Sequence, residues 1–124
     1  MNQPQHGFFW DKQITGQVDF SGGELAWTSF DHSLRVFRHR IQDNYLIEHR
    51  IHPTQKPVKL YEWLLKNYAK QGDKILDTHL GSGSIAIACY NLDFDLTGFE
   101  IDESYFKAAV ERLENHKKQL RIFT

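Results

Sequence analysis

The sequence predicts an α/β fold over 124 residues, with parallel strands and flanking helices in its second half. From Lys74 onward the apolar pattern changes from strand to helix to strand to helix, which is the order of a βαβ unit. A glycine-rich turn joins the first of these strands to its helix, as a sharp reversal of the chain requires. Hydrophobic residues at 40% and charged residues at 25% are typical of a globular domain.

The first half of the chain predicts short strands separated by turns. The strands are expected in "GFFW" (7–10), "ELAWTSF" (24–30) and "LRVFRHRI" (34–41). Between the first two strands, "ITGQVDFSGG" contains Gly16, Gly22 and Gly23 and is expected to be rich in turns. The segment "QDNYLIEHRI" (42–51) has no clear period, so we expect a loop there.

The second half predicts three helices and two strands. Pro57 suits the first turn of a helix, because its missing N–H would be unpaired there, and Gly72 ends that helix. Its apolar face consists of Val58, Tyr61, Leu64, Leu65 and Tyr68. Two strands, "KILD" and "FDLTGFE", enclose the short helix "SIAIACYNL". Asp102 is expected to cap a last helix whose apolar face comprises Tyr105, Phe106, Ala109, Leu113 and Leu120.

The charge is balanced overall but unevenly distributed. A net charge of −1 argues against nucleic-acid binding by bulk charge alone. Basic residues nevertheless concentrate between Arg35 and Lys59, whereas acidic residues concentrate after Asp73. Cys89 is the only cysteine, so no internal disulfide can form, and the first residues show no secretory signal pattern. We therefore expect a cytoplasmic protein.

Four features in the second half indicate a ligand site. A strand ends at Asp77, the turn Gly81-Ser82-Gly83 follows, a helix begins, and the next strand ends at Glu100. Glycines let the backbone approach a ligand closely, and the N-terminus of a helix presents free N–H groups to an anion. An acidic side chain at the end of the second strand is placed to accept hydrogen bonds from two ribose hydroxyls. The pattern predicts a nucleoside-bearing ligand at the carboxyl ends of the parallel strands.

Two cofactors are compatible with this turn. The segment "GSGSIA" matches the G-x-G-x-x-A form of the dinucleotide fingerprint, which would indicate NAD. Asp77 would repel a pyrophosphate, but it could attract the ammonium group of an amino acid. That position favours S-adenosylmethionine, whose methionine end carries such a group. A glycine-rich turn without a ligand is the remaining alternative, and the turn alone does not decide among the three.

The segment upstream supplies a more specific pattern. His52-Pro53-Thr54-Gln55-Lys56-Pro57 leads into a helix, followed by Leu76-Asp77, Gly81-Ser82-Gly83 and Glu100-Ile101-Asp102. This order resembles the permuted (beta-type) class of DNA amino-methyltransferases, which modify adenine N6 or cytosine N4. Phage-type members are also similar at "WDK" (10–12) and "DFSGGELAWTSF" (19–30). The family usually has Pro-Phe after its motif aspartate, whereas this chain has Thr78-His79, so we expect a different pocket floor.

The resemblance implies an incomplete Rossmann-like fold of the S-adenosylmethionine-dependent methyltransferase type, with a mixed sheet and flanking helices. It implies one truncated domain over 1–124, in which 1–50 is a remnant of the target and catalytic side and 51–124 is the cofactor-binding half. The residues implied to bind the cofactor are Thr54, Gln55 and Lys56 near the methionine carboxylate, Asp77, Gly81, Ser82 and Gly83 at the methionine end, Glu100 at the ribose and Ile101 at the adenine.

The catalytic motif of the family is missing from this sequence. The resemblance implies an Asp/Asn/Ser-Pro-Pro-aromatic tetrapeptide that binds the flipped-out base, but Pro4, Pro53 and Pro57 are never adjacent. We therefore expect a fragment of a site-specific DNA methyltransferase that does not methylate DNA by itself. The alternative is an inactive remnant that only binds DNA or a partner chain. The expected partners are double-stranded DNA and an N-terminal partner chain or a second copy, since a missing half would leave an open sheet edge.

Other candidate residues carry weaker signals. Arg35, Arg38, Arg40 and Arg50 fall where a target-recognition loop would lie, so we expect phosphate contacts, with a solvated strand face and loop as the alternative. The seven histidines show no zinc-site spacing, so no metal site is predicted. Cys89, Trp27 and Trp63 are expected to pack in the core.

Overall fold

The structure is a computed structural model that describes residues 6–14, 22–40, 51–52 and 55–122. These residues belong to two compact units, an N-terminal unit, Met1–Glu48, and a C-terminal unit, His49–Thr124. Nearly all of the predicted loop, and the predicted site residues Arg50 and Thr54, lie outside the described residues. The predicted division into a target side and a cofactor half concerns the roles of these regions, and it stays a prediction.

The N-terminal unit contains a mixed sheet. Its strands are β1 (Gly7–Asp11), β2 (Gly23–Trp27) and β3 (Arg35–Arg38), which confirm the three predicted strands, the latter two over shorter spans. The strand order is β2–β1–β3, so β1 is central. β1 pairs antiparallel with β2 and parallel with β3. The predicted mixed sheet is therefore present in this unit.

The two faces of this sheet differ in burial. Trp10 is 2% exposed, and its Nε1 donates to the carbonyl oxygen of His39 at 3.2 Å. The strand register places Leu25, Trp27 and Val36 on the opposite face from Trp10. Trp27 is 67% exposed. The prediction that Trp27 packs in the core is therefore wrong, because Trp27 lies on the face that the described residues leave open.

The C-terminal unit alternates helices and strands as the sequence predicts, but its first helix ends at Tyr68 and not at Gly72, and its second strand ends at Gly98 and not at Glu100. The elements are α1 (Val58–Tyr68), β4 (Lys74–Asp77), α2 (Ser84–Leu92), β5 (Asp95–Gly98) and α3 (Glu103–Ile122). β4 and β5 pair in parallel, from Lys74↔Asp95 to Asp77↔Gly98. The predicted βαβ unit is therefore confirmed.

Helices α1 and α2 cover one face of the β4–β5 sheet. Leu65 from α1 and Cys89 from α2 are at the centre of the core cluster, and Ile75 packs against it from the sheet. Burial, followed by the negative charge of Asp77, raises the pKa of the Cys89 thiol to about 11. Cys89 is thus an uncharged core residue near neutral pH, as predicted. On the opposite face of the sheet, Leu76 is 65% exposed.

Helix α3 begins as predicted but buries less apolar surface than predicted. The Tyr105 N–H donates to Oδ1 of Asp102 at 2.9 Å, which confirms Asp102 as the N-cap. Ala109 is buried, whereas Phe106 and Leu120 are each 41% exposed, so a fully buried apolar face is not formed. Within the described part of the chain, no helix is long and apolar enough to cross a membrane.

Candidate functional site

The segments that follow β4 and β5 are joined by backbone hydrogen bonds. The Phe99 N–H donates to the Asp77 carbonyl oxygen, and the Leu80 N–H donates to the Phe99 carbonyl oxygen, each at 2.9 Å. These bonds extend the parallel pairing for a few residues beyond the strands. The residues that the sequence singled out after each strand are therefore held side by side, at the carboxyl edge of the sheet.

The glycine turn after β4 has the conformation that its glycines allow. Gly81 (φ 56°) and Gly83 (φ 77°) both lie in the left-handed region, and the Gly83 N–H donates to the Leu80 carbonyl oxygen at 2.9 Å. Gly83 also precedes α2 as its N-cap, and no side chain caps that helix. A Cβ on Gly83 would lie 2.9 Å from the Cβ of Ala109, so α3 approaches the turn too closely for any side chain. The first N–H groups of α2 therefore receive no cap from a side chain, and an uncapped helix N-terminus is a favourable place for an anion.

Glu100 connects the two segments through its carboxylate. Its Oε1 accepts from the Gly81 N–H at 2.9 Å, and its Oε2 accepts from the Asp102 N–H at 3.0 Å. The Asp102 N–H, followed by the Gly81 N–H, lowers the pKa of Glu100 below its usual value. Glu100 is thus ionised at neutral pH. Each oxygen still has a lone pair with which to accept from a hydroxyl group.

Asp77 and the two residues after it form a compact polar turn. Oδ1 of Asp77 accepts from the His79 N–H at 2.9 Å, and Oγ1 of Thr78 lies 2.8 Å from Nδ1 of His79. Asp77 is half-buried, so its carboxylate is partly accessible to a cation. The floor of this site is consequently polar at the position where the resembling family has Pro-Phe.

The segment around His52 lies beside the glycine turn. The His52 ring is 4.3 Å from the Tyr105 ring, centre to centre, and it lies 3.9 Å from where a Cβ on Gly81 would be. Gln55 closes a local turn, because its N–H donates to the His52 carbonyl oxygen and its Oε1 accepts from the Ile51 N–H. The carbonyl oxygen of Lys56 accepts from the Ser84 hydroxyl at 2.7 Å. The backbone of Lys56 is therefore joined to the first residue of α2, whereas the role of Gln55 and Lys56 near the methionine carboxylate stays a prediction.

Ser82 points into the protein. Its side chain is buried, and its Oγ lies 3.1 Å from Oγ of Ser84 and 3.4 Å from Nη1 of Arg112. A ligand at the turn would therefore meet the backbone of Ser82 and not its hydroxyl. Arg112 and Ser84 are site residues that the sequence reasoning missed. The available signal was the position of Arg112 on α3, one helical turn after Ala109.

Exposed apolar side chains follow β5. Ile101 is fully exposed and Phe99 is 58% exposed, although both are large apolar residues. Their position next to Glu100 in sequence puts apolar surface beside the ionised carboxylate. A ligand with a flat apolar part and hydroxyl groups would match this combination.

The predicted phosphate-binding arginines that the structure describes do not all lie on one face of the sheet. In β3, alternation places Arg35 and Arg38 on opposite faces of the sheet. Nε of Arg38 lies 3.6 Å from Oδ2 of Asp11, whereas Arg40 follows the strand. Their proposed contact with DNA stays a prediction.

Most of the chain matches a known protein family. Residues 4–111 match the family N6_N4_Mtase, described as DNA methylase. Over 64 residues the chain is 39% identical to the type II methyltransferase M.HpaI from Haemophilus parainfluenzae, covering 52% of this chain and 20% of that protein. Over 63 residues it is 40% identical to the type II methyltransferase M2.DpnII from Streptococcus pneumoniae, covering 51% of this chain and 24% of that protein.

The fold is similar to that of a solved protein. The crystal structure of M1.HpyAVI in complex with SAM has a TM-score of 0.65 and 23% sequence identity. The match covers 86% of this chain and 60% of M1.HpyAVI. A second crystal structure of M1.HpyAVI gives a TM-score of 0.57 at 20% identity, covering 86% of this chain and 58% of that one. The chain thus spans about a fifth to a quarter of the two curated relatives and a little under two thirds of the solved protein.

Proposed function

The chain belongs to the N6_N4_Mtase family of DNA methylases, and we propose that it is the cofactor-binding part of an S-adenosylmethionine-dependent DNA amino-methyltransferase. The whole enzyme would methylate an exocyclic amine of adenine or cytosine. The observation that best supports this proposal is the 2.9 Å hydrogen bond from the Gly81 N–H to the Glu100 carboxylate. This bond brings the glycine turn and the ribose acceptor together at the carboxyl ends of two parallel strands.

The polar groups at this edge fit a nucleoside joined to an amino acid. The ionised carboxylate of Glu100 can accept from two ribose hydroxyls. Asp77 favours an ammonium group, and the N-terminus of α2, which no side chain caps, favours a carboxylate. Ile101 offers an apolar surface to an adenine ring. A dinucleotide fits less well, because Asp77 would repel its pyrophosphate.

Methyl transfer needs groups beyond those in this sequence. S-adenosylmethionine supplies an electrophilic methyl group on its sulfonium sulfur. Hydrogen-bond acceptors would hold the target amine while its nitrogen bonded to that carbon. The carbon–sulfur bond would break, S-adenosylhomocysteine would leave, and the amine would lose a proton. These 124 residues contain no two adjacent prolines. We therefore propose that the Pro-Pro-aromatic tetrapeptide comes from another segment or another chain.

Two assays test this proposal. Calorimetry should detect binding of S-adenosylmethionine to the chain, with no comparable binding of NAD. Tritium from labelled cofactor should not reach DNA with the pure chain, but it should do so after the N-terminal part of a family member is added. A chain that binds NAD instead of S-adenosylmethionine would contradict the cofactor assignment. Transfer to DNA by the pure chain would contradict the need for a second part.

A partner strand is also part of the proposal. Within the described residues, β4 and β5 form a sheet of two strands, so each strand has one edge without a neighbour. Two-stranded sheets are marginal by themselves, and Leu76 and Phe99 leave apolar surface exposed. We propose that a strand of the N-terminal part, or of a second copy, pairs here. Light scattering with the chain at tens of micromolar should show association, either of the chain with itself or with the N-terminal part of a family member. A clean monomer in both samples would contradict the proposal.

Double-stranded DNA is the proposed substrate, and we place the reaction in the cytoplasm. We expect Arg38 and not Arg35 to contact phosphates, because Arg38 is on the exposed face of β3 whereas Arg35 is half-buried. The net charge of the chain is only −1, so we propose that this part of the enzyme supplies few of the DNA contacts.

A further inference from the structure

Arg112 connects helix α3 to the glycine turn. Its Nη1 donates to Oγ of Ser84 at 2.8 Å and to the carbonyl oxygen of Ser82 at 3.2 Å. The same nitrogen lies 3.4 Å from Oγ of Ser82. A charged donor on neutral acceptors makes stronger hydrogen bonds than a neutral donor does. One guanidinium group therefore holds both the backbone and the side chains at the start of α2.

The donor and acceptor roles in this cluster are fixed by the number of hydrogens. The Ser84 hydroxyl donates its single hydrogen to the Lys56 carbonyl oxygen at 2.7 Å. Oγ of Ser84 must then accept from Arg112 and from the Ser82 hydroxyl. The cluster thus runs in one direction, from α3 through the turn to the segment that ends at Pro57. That segment contains Gln55 and Lys56, which are proposed to lie near the cofactor.

The turn is consequently held from two sides. The Leu80–Gly81 peptide group is held because its N–H donates to Glu100. The Ser82–Gly83 peptide group is held because its carbonyl oxygen accepts from Arg112. Among the described residues, neither the Ser82 N–H nor the Gly81 carbonyl oxygen has a hydrogen-bond partner. The peptide group between the two fixed ones therefore keeps a donor and an acceptor that could bond to a ligand.

We propose that Arg112 is a positioning residue for the cofactor site. It does not touch the ligand, but it fixes the Ser82–Gly83 peptide and the Lys56 carbonyl group relative to Glu100. The identity of the ligand rests on the proposed function, whereas the positioning of the turn can be measured in the ligand-free chain. Arg112 therefore acts on binding through the geometry of the turn.

The first test is amide hydrogen exchange in the ligand-free chain, measured by NMR. Arg112→Met removes the donors and keeps much of the aliphatic length, and Lys118→Met makes a similar change at an exposed position of α3. We expect Gly81 and Gly83 to exchange about tenfold faster in Arg112→Met, while Leu65 in α1 is unchanged. Equal rates in the two variants, or the same acceleration at Leu65, would overturn the proposal.

The second test is the Kd for S-adenosylmethionine, measured by calorimetry. Arg112→Met should raise Kd roughly tenfold, and Lys118→Met should leave it unchanged. If Arg112→Met does not fold, Ser84→Ala removes the acceptor of the shortest hydrogen bond that Arg112 donates and should cause the same faster exchange at Gly81 and Gly83. A native chain that does not bind S-adenosylmethionine would refute the proposed function, while the exchange rates would still decide the role of Arg112.

Discussion

Glu100 in the C-terminal unit and the basic side chains beside β1 in the N-terminal unit are held in different ways. In the C-terminal unit, the carboxylate of Glu100 accepts from two backbone N–H groups. In the N-terminal unit, the basic side chains near β1 pair with other side chains. Nζ of Lys12 lies 3.1 Å from Oε2 of Glu24, and Nε of Arg38 lies 3.6 Å from Oδ2 of Asp11.

This difference separates a preformed site from an adaptable surface. A carboxylate bound to backbone groups is fixed by the fold, because those N–H groups cannot change rotamer. The more exposed pair, Arg38 with Asp11, joins two flexible side chains, so it contributes little free energy and is readily exchanged for another partner. The C-terminal unit is therefore suited to holding a small ligand in one geometry. The proposed phosphate contact of Arg38 would need only such an exchangeable side chain, because phosphate positions vary along DNA.

The largest expected effect follows from removing the charge of Glu100. Glu100→Gln keeps the shape of the side chain, but its amide group cannot accept at both positions. We expect Kd for S-adenosylmethionine to rise about a hundredfold, from two weakened hydroxyl contacts. Glu111→Gln, on an exposed part of α3, is the matched control and should bind as the native chain does. Unchanged affinity in Glu100→Gln would place the ribose elsewhere.

A stability effect of intermediate size is expected at the glycine turn. Gly83→Ala combines a left-handed φ of 77° with a contact of 2.9 Å to Ala109, so we expect a loss of about 2–3 kcal/mol. Gly72 also has a positive φ, 91°, but nothing lies near its Cβ position, and Gly72→Ala should cost only about 1 kcal/mol. Urea unfolding measures both losses. Equal losses would mean that α3 does not press against the turn.

A smaller effect is expected from Arg38 in the N-terminal unit. Arg38→Gln should change the free energy of unfolding by less than about 1 kcal/mol, because the ion pair with Asp11 is exposed. If Arg38 contacts a DNA phosphate, Arg38→Gln should reduce the slope of log K for DNA binding against log salt concentration by about one. DNA binding is measured for the complex of this chain with the N-terminal part of a family member, and Lys118→Gln is the control variant. A large loss of stability would show that the pair is structural.

The smallest effect concerns the pH dependence of stability. Because the folded pKa of Glu100 is lowered, its carboxylate stabilises the fold at pH values above the usual pKa of a glutamate. That contribution is lost as the pH falls through the lowered value. The difference in unfolding free energy between the native chain and Glu100→Gln should therefore shrink in acid. If that difference in unfolding free energy stayed constant from neutral to acid pH, the lowered pKa of Glu100 would be contradicted.

Much of the C-terminal unit could be predicted from the sequence because its signals are local. The strand Lys74–Asp77 and the helix Ser84–Leu92 have the predicted bounds, set by apolar runs and by flanking glycines. The Asp102 cap likewise depends on residues three positions apart. The convergence of the turn with Glu100 followed from the rule that parallel strands share a carboxyl edge.

The remaining features could not be predicted because they depend on tertiary contacts. Arg112 and Ser84 are 28 positions apart, and neither residue type indicates the other. Ser82 fits the motif, but only the approach of α3 decides that its hydroxyl is buried. In the N-terminal unit, the run of arginines gave no information on which face of β3 each would occupy. The burial of Trp27 was mispredicted for the same reason, since aromatic character does not reveal which face of a sheet is covered.

The central claim is that the turn after β4 and the carboxylate after β5 form one binding site for S-adenosylmethionine. An NMR titration of the chain with this ligand tests it most directly, residue by residue. The account predicts amide shifts at Gly81, Ser82 and Ile101, with the strands of the N-terminal unit unaffected. Shifts confined to other residues, or no shifts at saturating ligand, would contradict it.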